Sequence, residues 1–367
     1  MRLLCITSHR DTLNSVRPEA ELFIGLQKAG VAVTVMTQGD SVYAGPMREA
    51  GIEVVDFVPK RKFSLAAIRR IRRELRRLRI DVVYAFNNKA ITNTNFAALG
   101  LPVKVATYRG QTGNLHRWDP SAYLTHLNPR VDLVLCVADA VRDSLRAQHR
   151  RPARVRTVYK GHSLEWYRQP PADLGEFAIP AGAFTVICVA NNRPRKGVGV
   201  LVEATYRLPR EADIHLLLVG GGLEEPELAR LIGASPLRER IHVAGFRRDA
   251  TALVAACSAS VLPSLKREGL PKTVIESMAF GVPPIVTDTG GSAELVLDGQ
   301  SGIVVAPGDA GAIADAIRFL YDNPTERALM GRRARERLDR HFNVADTVSR
   351  TKGLLEELLE ASPERQA

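Results

Sequence analysis

Short apolar, β-branched runs alternate with helical patterns along the whole chain. In the first half, runs at 3–7, 31–37, 52–57, 81–86, 103–108, 133–137 and 155–159 predict strands, with helices over 17–29 and 64–78 among them. The second half repeats the scheme at 185–190, 214–220, 241–245, 259–262, 284–287 and 302–305, with a helix over 200–208. Strands alternating with helices in this way imply parallel sheets covered on both faces. The polar stretch 168–180, which carries Pro170, Pro171 and Pro180, reads as a break between two such domains. The expected organisation is therefore α/β throughout: a first domain over 1–167, a linker over 168–181 and a second domain over 182–340. A helical tail over 341–367, striped by Leu354, Leu355, Leu358 and Leu359, is expected to pack back on the first domain. Two doubly wound domains facing a cleft would place ligands at the carboxyl ends of their strands.

Composition narrows the class. The chain has 367 residues, 45% of them hydrophobic, which suits two domains and excludes a disordered chain. No apolar run reaches the roughly 18 residues of a spanning helix. The apolar start meets Ser8, His9, Arg10 and Asp11 too early for a signal peptide, so a soluble, cytoplasmic-type protein is expected. Cys5, Cys136, Cys188 and Cys257 lie far apart in apolar runs and read as buried reduced thiols.

The net charge of +11 is concentrated in one place: ten Lys and Arg residues against a single acid, Glu74, between Lys60 and Arg79. There Ile68, Ile71, Leu75 and Leu78 form an apolar stripe behind a plausible Ser64 N-cap, and arginines cover the rest. Like charges one turn apart repel, so the face of Arg69, Arg70, Arg72, Arg73, Arg76 and Arg77 suits an anionic membrane surface. Aromatic residues are 6% of the chain and no nucleic-acid-binding motif accompanies the charge, so nucleic acid is not the expected partner.

The chemistry concentrates in 264–286. A strand-like run ends in a loop carrying Glu268, and a helix opens near Pro271 or Lys272 with Glu276 about one turn inside it. The N–H groups of Gly269, Leu270, Lys272 and Thr273 cluster at the positive end of that helix, a natural anion site. A carboxylate on each side of a phosphate nest suits a sugar nucleotide. Upstream, Arg193, Arg195 and Lys196 follow the first strand of the second half, where cations neutralise a diphosphate leaving group.

The Glu268-x7-Glu276 stretch resembles the donor motif of the retaining, nucleotide-sugar-dependent glycosyltransferases of GT-B fold. These are the glycogen-synthase-like and mannosyltransferase-like enzymes of family 4. The likeness continues through Gly269-Leu-Pro, Gly281-Val-Pro, Gly290-Gly-Ser-Ala-Glu294 and Val305-Ala-Pro-Gly308. It implies two Rossmann-like domains, with Glu268 beside the transferred sugar and Glu276 on the ribose. It also implies Lys196, with Arg193 or Arg195, on the diphosphate, and the backbone at Gly245, Phe246 and Arg247 along the base. On the acceptor or phosphate side it points to His9, Arg10, Arg109, Gly110, His116, Trp118 and His162. The sequence departs from the family at three places. Ser8–Ser15 replaces a glycine pair, Tyr108-Arg109-Gly110 replaces a His-Gly, and the clamp arginine is shifted to Arg193 or Arg195. Arg109 cannot serve as a titrating base.

No Asp-x-Asp occurs, so the usual carboxylate clamp for a divalent metal is missing and neither metal nor other cofactor is expected. Zinc-protease, P-loop and Gly-x-Gly-x-x-Gly signatures are also absent. The expected activity is transfer of a sugar to a hydroxyl of a glycan or lipid-linked acceptor, in cell-surface polysaccharide or lipopolysaccharide assembly. A nucleotide-sugar epimerase on the same scaffold and a non-catalytic membrane-binding scaffold are the alternatives.

Overall fold

The computed structural model describes residues 1–9 and 13–361, the side chains of 13–15 excepted. The chain divides into two units, Met1–Gly161 with Phe342–Ala367, and His162–His341. In the first unit, β1 (Arg2–Ile6), β2 (Ala32–Thr37), β3 (Glu53–Asp56), β4 (Val82–Ala85), β5 (Lys104–Arg109), β6 (Leu133–Cys136) and β7 (Val155–Thr157) form one sheet. Its order is β3-β2-β1-β4-β5-β6-β7, and every pairing is parallel. In the second, β8 (Phe184–Val189), β9 (Ile214–Val219), β10 (Ile241–Gly245), β11 (Ala259–Leu262), β12 (Pro284–Thr287) and β13 (Ile303–Val305) pair in the order β10-β9-β8-β11-β12-β13, again all parallel. Each predicted run is a strand, because burial on both faces selects an unbroken apolar run rather than an alternating one. All four cysteines are buried and free.

Both sheets reverse their order at one point, β1/β4 in the first unit and β8/β11 in the second. At such a point adjacent loops leave in opposite directions and open a crevice at the strands' carboxyl ends.

The break expected over 168–181 falls elsewhere. The units part at Gly161/His162 and again at His341/Phe342. The Pro-rich stretch lies within the second unit, where Leu174, Phe177 and Ile179 pack against Ile187, Leu217 and Val254. Glu176 there pairs with Arg247 at 2.7 Å. Proline density marked loop backbone correctly, but the apolar residues between the prolines found a core. The C-terminal helix Val344–Glu360 belongs to the first unit, with Leu354 and Leu355 in its core. Asn343 caps this helix by accepting from Asp346 N at 2.8 Å, and Thr347 Oγ1 donates to Tyr159 O at 2.8 Å.

The basic helix runs Leu65–Arg77, with Ser64 Oγ accepting from Ala67 N at 3.3 Å. Ile71 and Leu75 are buried, and so, unexpectedly, is Glu74. Glu74 collects Arg70 at 3.4 Å and Arg77 at 2.6 Å, while Arg72 donates to the carbonyls of Ala97 and Leu99 at 2.8 and 2.6 Å. The six-arginine face is thus corrected. Arg70, Arg72 and Arg77 are tied into the fold, Arg77 while its side chain stays half exposed, and Arg69, Arg73 and Arg76 are exposed.

Candidate functional site

In the second unit, the residues after β8 and β11 converge. Pro194–Lys196 forms a single 3-10 turn, ended by Gly197 in the left-handed region at φ 67°. A Cβ at Gly197 would fall 2.0 Å from Pro263 O, so only glycine lets this turn lie against the end of β11. Leu265 N donates to Arg195 O at 2.8 Å and stitches the two loops together. Lys196 Nζ then reaches Glu268 Oε1 at 2.6 Å. Glu268 is 5% exposed, and its backbone is pressed against Gly290, where a Cβ would lie 2.2 Å from Glu268 O.

The helix Lys272–Ala279 follows, with Pro271 at its N-cap and no side-chain cap on its first turn. Those amides and the helix dipole point to an anion site. Glu276, one turn in, is buried and accepts from Lys272 Nζ at 2.9 Å. Burial pushes the Glu276 carboxyl above the ordinary carboxylate value, against the opposing pull of Lys272. The pairing with Lys272 was not visible in the sequence reading, which used only that residue's backbone N–H. Gly269 is buried beside Glu268, while Leu270 and Thr273 are half-buried at the helix entrance.

Arg195 and Arg193 are less committed. Arg195 Nη1 lies 3.5 Å from Arg267 O, and Arg193 is exposed at the start of the turn. After β10, Gly245 takes φ 64° and Phe246 is 69% exposed. Arg247 is held by Glu176 and Asp249, at 2.7 Å each, so its side chain secures this segment rather than standing open to a ligand.

In the first unit, a cavity of about 1360 Å³ opens at the β1/β4 reversal, lined among others by Thr7, His9, Glu19, Gln38, Lys60 and Asn87. His9 is buried and lies 3.5 Å from Glu19. Glu19 also accepts from Lys160 Nζ at 3.1 Å and from Thr7 Oγ1 at 2.9 Å. Burial alone would raise the Glu19 carboxyl, but Lys160, His9 and Thr7 together hold it down at about 2. Lys160 also lies over the Tyr108 ring at 4.8 Å. This ion pair escaped the sequence reading because its partners are 141 residues apart.

The other residues expected on the acceptor side scatter. Arg10 lies outside the described residues. Arg109, at the end of β5, donates to Gly113 O, and Gly110 and His116 are exposed. Trp118 is 82% exposed under Arg117 and lines a separate cavity of about 670 Å³ with Tyr123 and His149. His162 opens the second unit and is buried, its Nδ1 2.7 Å from Tyr167 Oη. The sequence expectation that set His162 with the first unit's residues is thus corrected. His126, also buried, pairs with Thr107 at 3.1 Å, and burial lowers its imidazole to about 3.

Two family models match the two halves. Residues 20–166 match "Glycosyltransferase Family 4", and residues 172–337 match "Glycosyl transferases group 1". Together the two models span most of the chain, which belongs to the glycosyltransferases that they describe. It is 32% identical over 261 residues to the GDP-mannose-dependent alpha-(1-6)-phosphatidylinositol monomannoside mannosyltransferase of Mycolicibacterium smegmatis, covering 68% of this chain and 59% of that one. It is 31% identical over 171 residues to the lipopolysaccharide core biosynthesis glycosyltransferase LpsE of Rhizobium meliloti, covering 47% and 49%. The chain thus spans about half the length of the curated relatives it matches. Among solved structures, Anabaena Alr3699/HepE in complex with UDP-glucose superposes with a TM-score of 0.76 at 20% identity, over 97% of this chain and 100% of that one. That likeness is one of fold.

Proposed function

We propose that this chain is a retaining glycosyltransferase that moves a sugar from a nucleoside diphosphate to a hydroxyl of a glycan or lipid-linked acceptor. The observation that carries the reading is the convergence of Lys196 and Glu268 at the second sheet's reversal point, with Glu276 on the adjoining helix. Glu276 accepts hydrogen bonds from the ribose, and Glu268 lies beside the transferred sugar. Lys196, Arg193, Arg195 and the first-turn amides receive the diphosphate. The anomeric carbon–phosphate oxygen bond breaks as the acceptor oxygen bonds to the same face of that carbon. The acceptor proton passes to the departing phosphate oxygen. The protein's contribution is stabilisation of the charge growing on that phosphate, which fixed cations and amides supply without reorganising. The first unit's cavity takes the acceptor.

The names of the two curated relatives, one acting on a phosphatidylinositol mannoside and one on lipopolysaccharide core, support an acceptor in cell-surface glycan assembly. The UDP-glucose of the Anabaena protein and the GDP-mannose of the mycobacterial one put two nucleotides in the donor panel. The test incubates the protein with radiolabelled UDP-, GDP-, ADP- and dTDP-sugars and a cell-envelope glycolipid fraction, with EDTA present. Label should pass from one nucleotide to the acceptor despite the chelator, because lysine and arginine supply the charge on the diphosphate. A strict manganese requirement would contradict the donor site as read. A new nucleotide sugar formed without acceptor would favour the epimerase.

We also place the first unit against anionic lipid at the inner face of the cytoplasmic membrane. No helix among the described residues is long and apolar enough to cross a membrane, so the contact is peripheral. Exposed Arg69, Arg73 and Arg76 provide it, at about 1 kcal/mol each near the surface and screened beyond about 8 Å. In vesicle co-sedimentation at low salt, wild type should pellet with anionic vesicles and the triple Gln variant should pellet distinctly less. Equal pelleting of the two, or none by either, would remove the membrane role and favour a soluble acceptor.

A further inference from the structure

Three large apolar side chains stand in water on one part of the first unit. Phe63 is 53% exposed, Leu65 60% and Trp118 82%. They come from two loops that one helix ties together. From the helix Asn88–Ala97, Asn93 Nδ2 donates to the carbonyls of Arg61 and Lys62 at 3.0 and 3.1 Å. Two residues on, Asn95 Nδ2 donates to those of Leu124 and Thr125 at 3.1 and 3.2 Å. Phe63 packs edge-on against Phe96 of the same helix, with ring centroids 5.2 Å apart. Tyr123 Oη donates to Arg117 O at 3.1 Å and anchors the backbone that carries Trp118. The acid beside Trp118 is already answered. Ser121 holds the Asp119 carboxyl below its ordinary range, and the charges of His116 and, from the other loop, Lys62 add to the effect.

Cations surround these apolar groups. Leu65 opens the basic helix, and Arg69, Arg73 and Arg76 follow it at helical spacing on one face. Arg117 lies over the Trp118 ring at 4.9 Å. Lys60 and Lys62 are exposed and line the first unit's cavity. A single exposed apolar side chain is ordinary, but a group of them set among cations matches a bilayer interface. There tryptophan sits at headgroup level, aliphatic and phenyl groups reach the acyl boundary, and lysine and arginine meet phosphates.

We propose that Phe63, Leu65 and Trp118 insert into the headgroup–acyl boundary of an anionic bilayer, with the surrounding cations on its phosphates, so that the first unit's cavity opens beside the membrane. This rests on the peripheral placement given above and adds an apolar contact to one that charge alone would make. A lipid-linked acceptor then reaches the cavity lined by Lys60 and Lys62 without its anchor leaving the bilayer.

The experiment is fluorescence and co-sedimentation with vesicles of equal parts phosphatidylglycerol and phosphatidylcholine, beside vesicles of phosphatidylcholine alone. The chain has two tryptophans, Trp118 and Trp166, so subtracting the spectrum of Trp118→Phe leaves the signal of Trp118. On anionic vesicles that signal should move to shorter wavelength, and lipids brominated near the headgroup end of the acyl chain should quench it. Trp118→Ser and Leu65→Ser should each weaken pelleting about 3- to 10-fold, and together about 10- to 100-fold, as expected for apolar side chains partly withdrawn from water. Trp118→Phe should pellet like wild type. Wild type that pellets with Trp118 unshifted and unquenched overturns the insertion and leaves a contact by charge alone, as do Ser variants that pellet like wild type. Absence of pelleting removes the membrane placement itself and the insertion with it. A Trp118 shift that grows with protein concentration without vesicles makes the patch an interface between copies of this chain, and also overturns the proposal.

Discussion

Replacing Lys196 by alanine should lower kcat for sugar transfer by about 10²–10³-fold, the usual loss for a group that faces charge developing in the transition state. Lys196 stands just beyond the end of β8, 2.6 Å from Glu268. Glu268 keeps its Ser264 contact when the lysine is gone, so the loss should appear in turnover rather than in folding. Glu268→Ala should likewise act chiefly on kcat, since the proposed function sets that residue beside the reacting sugar. Steady-state kinetics over a range of donor concentrations checks both. An effect confined to KM would mean that Lys196 binds the ground state alone, and the leaving-group role would be lost.

Glu19→Gln should cost the first unit about 1.5–3 kcal/mol, because it takes the counter-charge from the part-buried Lys160 ammonium. Burial lowers the Lys160 ammonium, but Tyr108 and Glu19 outweigh it and leave its pKa raised. The pH dependence follows from the carboxylate. Glu19 is depressed from 4.5 to about 2, so its contribution is complete above about pH 4.5 and is lost as pH falls toward 2. Urea unfolding at several pH values should show wild type losing stability through that window and the Gln variant following a flatter profile. A difference below about 1 kcal/mol at neutral pH would show the ion pair to be dispensable.

The strands were legible because a doubly covered parallel sheet imposes a continuous apolar run, which local sequence displays directly. The loop and helix that carry Glu268 and Glu276 were legible for a similar reason. Gly197, Glu268, Pro271, Glu276 and Gly290 each answer a local demand of turn, helix start or close approach. What escaped depends on partners distant in sequence. The Pro-rich 168–180 looked like a linker until Leu174, Phe177 and Ile179 met Ile187, Leu217 and Val254, up to 80 positions away in the second unit. The arginine face looked uniform until buried Glu74 and the carbonyls of Ala97 and Leu99 claimed half of it. His162 read as part of the first domain, and the structure makes it the first residue of the second unit.

The central claim is that the second unit holds a nucleotide sugar through the pair of glutamates. Titration calorimetry of wild type and Glu276→Ala with the same donor panel tests it most directly. One nucleotide sugar should bind wild type, and Glu276→Ala should weaken it by at least tenfold, as expected when hydroxyl bonds worth about 1.5–3 kcal/mol each to a charged group are removed. Equal affinity in the two proteins, or no binding by wild type to any member of the panel, would contradict the account.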